Sequence, residues 1–149
     1  MRCPSGVRRD RWFVRCFSGS TRATLDIDIC YSRSNANLKC LVAALAPFRP
    51  RPQGFPAELA FIWDEATLRN TAILTLHTDV GEIDLLAEVA GLGAWEEVKA
   101  GSIIVEAFDR RISVLDLPSL IQAKRAAGRE KDLAALPELE SLLETSDET

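Results

Sequence analysis

A chain of 149 residues with 47% hydrophobic content suits one domain and holds enough apolar material for a core. Its formal net charge of −4 excludes a global basic field for drawing nucleic acid. With no run of about 18 apolar residues, no membrane span is expected.

The basic N-terminus lacks the continuous apolar stretch of a secretory signal, so a cytoplasmic location is expected. Cys3, Cys16, Cys30 and Cys40 form no C-x-x-C pair, which reads as free thiols in a reducing compartment. The single histidine, His77, excludes a histidine-rich metal site.

Residues 1–20 form an atypical basic segment. Arg2, Arg8, Arg9, Arg11 and Arg15 crowd it, with Trp12, Phe13 and Phe17 interleaved. Such an arm suits a phosphate backbone, or it is a frayed terminus. Gly19-Ser20 breaks the pattern and opens a main domain over 21–143.

Residues 24–31 alternate strictly, with Leu25, Ile27 and Ile29 on one face and Asp26, Asp28 and Cys30 on the other. That period marks a half-buried strand, and its rise puts the two aspartates about 7 Å apart. Two close carboxylates repel unless a positive group lies between them. Hard oxygen ligands suit Mg²⁺ or Mn²⁺, and the plainer reading is a strand with one wet face.

Ser34 caps a helix carried by Leu38, Leu41, Val42 and Leu45, which ends before Pro47 or Pro50. Residues 50–56 read as a loop. A helical turn at 64–68 precedes a strand at 71–78, a tight turn at 79–81 and a returning strand with Glu82 and Asp84 on one face. A short helix is expected at 95–99 and a second hairpin at 103–115, turning at 109–111.

Asp116 and Pro118 open the next helix, which presents Lys124, Arg125 and Arg129 and is broken at Gly128. A last helix over 131–143 rests on Leu133, Leu136, Leu139, Leu142 and Leu143, with Pro137 as an interruption. An acidic tail over 144–149 is expected to be disordered. The total is α+β, or α/β, with a mixed β-sheet and flanking helices.

If the two acid-bearing strands are neighbours, Asp26, Asp28 and Asp84 converge on one sheet edge. Three carboxylates there suit divalent cations that hold a triphosphate.

Three blocks carry a resemblance. They are Gly19-Ser20-x-Arg22-Ala23-Thr24-Leu25-Asp26-Ile27-Asp28, then Thr78-Asp79-x-Gly81-x-Ile83-Asp84-Leu85-Leu86, and then Leu120-Ile121-x-x-Lys124-x-Ala126-x-x-Arg129-x-Lys131-Asp132. In this order the chain resembles small nucleotidyltransferases of the polymerase-β superfamily, of the minimal or abortive-infection-toxin-like type. The resemblance implies a nucleotidyltransferase-like fold and transfer of a nucleoside monophosphate from a triphosphate to an acceptor in RNA, a protein or a small molecule. It implies Asp26, Asp28 and Asp84 as catalytic and metal-binding residues. Gly19 and Ser20 would lie in the loop before the catalytic strand, and Lys124, Arg129 and Lys131 would meet phosphates or pair with the acids.

The family also has a glycine pair about a dozen residues before the first aspartate, whose amides help hold phosphate. Here Arg11-Trp12 stands there. That departure supports an alternative: a catalytically degenerate interaction protein, one half of a toxin–antitoxin pair. A third reading is a PD-(D/E)xK nuclease built on Asp84 and Glu97-Val98-Lys99, which would require the latter on a hydrophobic strand.

Overall fold

The structure, a computed structural model of the chain, describes residues 14–16 and 27–147, with the backbone alone for 14–16 and 147. Gly19, Ser20, Asp26, most of the basic segment and the last two residues of the tail lie outside the described residues.

The chain begins with β1 (Val14–Cys16) and β2 (Ile27–Cys30). Helix α1 (Asn35–Leu45) follows, its first turn capped by Ser34 Oγ, which accepts from Asn37 N. A 3-10 turn (Ala46–Phe48) leads to β3 (Arg51–Pro52). Helix α2 (Glu65–Arg69) is capped by Asp64 and followed by β4 (Ile73–Thr78) and β5 (Gly81–Leu86). A two-stranded ribbon of β6 (Glu88–Val89) and β7 (Gly93–Ala94) precedes α3 (Trp95–Ala100). The hairpin β8 (Ser102–Ala107) and β9 (Arg110–Leu115) is followed by α4 (Leu117–Ala127) and α5 (Glu130–Asp147).

Seven strands form one mixed sheet in the order β3-β4-β5-β2-β1-β9-β8. β2 runs parallel to β5 and β1 parallel to β9, and the other pairs are antiparallel. The fold is α+β. Among the described residues no helix is long and apolar enough to cross a membrane.

Strand alternation sorts the side chains to two faces. Leu76, Ile83 and Leu85 enter one core with Tyr31, Leu38, Leu41, Leu45 and Leu68, and Ile29 packs against it. Tyr31 belongs there because its hydroxyl donates to Leu68 O at 2.9 Å, so no polar atom is stranded. On the opposite face Cys30 joins Val89, Trp95, Val98, Leu115 and Ala123, with Leu86 against them. Helices α4 and α5 pack through Ile121, Ala135 and Leu139, with Leu117, Leu136 and Leu143 alongside.

The β4–β5 turn is held by Thr78 Oγ1, which donates to Gly81 O at 2.6 Å and accepts from Val80 N at 3.2 Å. Gly81 has φ 126°, a backbone state that residues with a Cβ rarely adopt.

Several expectations are corrected. Cys40 is disulfide-bonded, whereas Cys30 is a buried free thiol. The β8–β9 turn falls on Phe108-Asp109, both with positive φ, one residue earlier than the charge pattern suggests. Helix α5 runs through Pro137 to Asp147, so 144–147 are helical rather than disordered. Proline removes one N–H and leaves the Leu133 carbonyl without its helical donor. Leu133 is exposed, so water can satisfy that carbonyl, while the buried stripe on both sides of the proline keeps the helix on α4.

Leu85→Ala is expected to destabilise the protein by about 2–5 kcal/mol, because the site is fully enclosed. Val80→Ala, at a 68% exposed turn position, is expected to change stability by less than about 0.5 kcal/mol. Urea denaturation of the two variants beside the parent checks both.

Candidate functional site

The register of β2 on β5 sets Asp28 directly opposite Asp84, with Ile27 opposite Ile83 and Ile29 opposite Leu85. The flanking apolar pairs fix this register, since a slip of one residue would drive acids into the core and leucines out of it. Strand spacing puts the two aspartate backbones about 4.8 Å apart. Two full charges at that spacing repel by about 3 kcal/mol at an effective dielectric constant of about 20. Thr75 on β4 stands opposite Asp84, and His77 opposite Glu82, one row further along. His77 Nδ1 lies 3.5 Å from Glu82 Oε1 on an open part of that surface.

The acid pair carries two marks of an incomplete site. Burial, and then the charge of Asp84, pushes the Asp28 carboxyl above its ordinary range, while Lys131, Arg129 and Lys124 pull it back. Asp84 Oδ1 is buried and accepts no hydrogen bond from the described residues. A buried, unpartnered carboxylate oxygen beside a second carboxylate fits a hard cation, which would occupy that lone pair and cancel the repulsion. Two carboxylates are too few to complete a metal's shell. Among the described residues no group of three or more His, Cys, Asp or Glu side chains could hold a metal ion. Mg²⁺ characteristically takes one or two protein carboxylates and fills its remaining positions from water and substrate phosphates. The third expected ligand, Asp26, and Gly19 and Ser20 are among the residues outside the description.

The cationic wall comes from the α4–α5 corner. Gly128 ends α4 in the left-handed conformation at φ 64°, its N–H bonded to Lys124 O, which lets the chain reverse within two residues. Lys124 and Arg129 are thereby brought to one carboxylate, Asp132. Lys124 Nζ lies 3.2 Å from Asp132 Oδ1, and Arg129 Nε donates to Oδ2 at 2.5 Å. Asp132 is only 2% exposed and Lys124 9%, whereas Arg129 is 60% exposed. Burial alone would raise the Asp132 carboxyl, but hydrogen bonds from Arg129 and Lys124 outweigh it and hold the group below its usual range.

Of the two roles the sequence allows Lys124, meeting a phosphate or pairing with an acid, the structure shows an acid pairing, with the buried Asp132. Lys131 is exposed and forms no ion pair with the described residues. Arg125 belongs to another contact, donating to Glu140 at 2.5 Å across the helix pair.

Asp132 had no role assigned from sequence, although the pattern holds a signal for it. Positions 132, 135, 136 and 139 share one helical stripe, and 135 and 139 are buried. An aspartate on such a stripe must meet a cation. Elsewhere, Glu97-Val98-Lys99 lies on α3, not on a strand, which removes the geometry a PD-(D/E)xK nuclease needs.

No protein-family model and no curated protein matches this sequence.

The raised Asp28 carboxyl gives a pH signature. A folded-state group that holds its proton more tightly than the unfolded chain costs stability as pH rises through its range. Asp28→Asn is expected to raise the melting temperature of the metal-free protein at pH 7. That gain is expected to shrink towards zero below about pH 4, where the parent carboxyl is protonated in both states. Circular dichroism melts across this range check it, and a lower melting temperature at pH 7 would contradict it.

Proposed function

We propose that the chain is a Mg²⁺-dependent nucleotidyltransferase that moves a nucleoside monophosphate from a triphosphate to an acceptor hydroxyl. The observation that carries the reading is the in-register pair Asp28 and Asp84, with Asp84 Oδ1 unpartnered and three cations in electrostatic reach of Asp28. That combination, two carboxylates and a basic wall on one sheet face, matches what phosphoryl-type transfer requires: positioning and charge balance rather than covalent participation by the protein. The motif resemblance across the same residues agrees with it.

Asp28 and Asp84, with Asp26 beside them in sequence, would hold the metal. When bound, Mg²⁺ supplies Lewis-acid stabilisation of the phosphate and acceptor oxygens. The exposed Arg129 and Lys131 offset the triphosphate charge. The acceptor oxygen bonds to the α-phosphorus, the bond to the bridging β-phosphate oxygen breaks, and pyrophosphate leaves. The acceptor's proton passes to a carboxylate lone pair of Asp84 that the metal leaves free. The acceptor class is a hydroxyl of RNA, protein or a small molecule.

Incubation with labelled triphosphates and Mg²⁺ or Mn²⁺ tests the reading. Transfer of label is expected for the parent chain. Asp28→Asn and Asp84→Asn are each expected to lower the rate about a hundred-fold or more, since several kcal/mol of charge stabilisation depend on the metal. Label transfer undiminished in both variants would overturn the assignment.

A further inference from the structure

Asp132 is the most deeply buried charge among the described residues, and both of its oxygens accept hydrogen bonds from cations. Oδ1 takes Lys124 Nζ at 3.2 Å and Arg129 Nη2 at 3.4 Å, and Oδ2 takes Arg129 Nε. A buried ion pair of this kind adds little net stability over apolar packing of similar volume. What it fixes is location. Ala123, beside Lys124 on α4, shares a core cluster with Cys30, which lies on the same face of β2 as Asp28, so the acid pair and Asp132 are rival anions for the cations of the α4–α5 corner. The Lys124 ammonium, enclosed as it is, cannot be left unpaired.

We propose that Asp132 is a positioning residue that holds Lys124 and Arg129 beside the Asp28–Asp84 pair but off it, so that the pair stays open to a divalent cation. This rests on the reading of Asp28 and Asp84 as metal ligands. Without the Asp132 charge, Lys124 turns to the Asp28–Asp84 pair and occupies the lone pairs the cation needs. Asp132 thus sets metal affinity without touching metal, and its loss is corrected by removing the lysine it restrains.

The test is Mn²⁺ binding by the full chain, followed by the electron paramagnetic resonance signal of free Mn²⁺, with melting curves to establish folding. The parent, Asp132→Asn and the double variant Asp132→Asn/Lys124→Met are compared. Asp132→Asn is expected to bind Mn²⁺ about ten-fold or more weakly, the usual scale for a residue that supports metal ligands from outside. The double variant is expected to recover affinity to within about three-fold of the parent, because the competing ammonium is gone. Undiminished binding by Asp132→Asn overturns the proposal, and so does equally weak binding by the double variant, which would mark a purely structural role. If Asp132→Asn does not fold, the double variant decides alone, with parent-like affinity supporting the proposal and weak binding overturning it. A parent chain that binds no Mn²⁺ overturns the metal-site reading and this inference together.

Discussion

Two aspartates held abreast on hydrogen-bonded parallel strands are the constraint around which the rest of this molecule is arranged. The β2–β5 register cannot relax the repulsion between Asp28 and Asp84, because the same register seats Ile29, Ile83 and Leu85 in or against the main core. Removing the repulsion by slippage would cost several buried side chains, each about 1.5–3 kcal/mol. The charge must instead be managed electrostatically, by cations from outside the sheet and by whatever ligand the open oxygen of Asp84 accepts.

Those cations arrive on a helix corner whose form follows from ordinary packing. Asp116 caps α4 through the Ser119 amide, Gly128 turns the chain, and the Ile121–Ala135–Leu139 contact holds α5 against α4. Lys124, Arg129, Lys131 and Asp132 are carried with it. The outcome is an acid pair that is costly as it stands: Asp28, half-buried, has a raised proton affinity, and Asp84 Oδ1 accepts no hydrogen bond from the described residues. Strain of this kind is a common companion of function, since a group fully satisfied within the protein has nothing left to offer a ligand.

Much of the fold is legible in local pattern. Alternation in Ile27–Cys30 and the β4–β5 hairpin, the Ser34 cap, the helical turn near 64–68 and the Asp116-Leu117-Pro118 start of α4 are all written within a few residues of where they act. What local pattern does not contain is which strands adjoin. The neighbouring of β2 and β5 joins segments more than fifty residues apart in sequence, so the meeting of Asp28 and Asp84 could only be expected conditionally. The burial of Lys124 was hidden because its partner lies eight residues on, across a turn. Leucine counting misplaced the inner face of α5: Leu133 and Leu142 are exposed, and the stripe through Asp132, Ala135 and Leu139 is the buried one. Pro137 reads as an interruption in the sequence, because the exposure of Leu133, whose carbonyl it leaves without a helical donor, depends on tertiary packing. The bonded state of Cys40 is likewise a matter of spatial neighbours rather than of cysteine spacing.

The claim on which this account turns is that Asp28 and Asp84 share one cation. Anomalous diffraction from crystals of the chain grown with Mn²⁺ and a non-hydrolysable triphosphate measures this directly. The expected result is a manganese peak bridging the two carboxylates, with oxygens of both aspartates at about 2.0–2.3 Å. A peak elsewhere on the protein, or Asp84 Oδ1 found hydrogen-bonded with no metal beside it under those conditions, would contradict it.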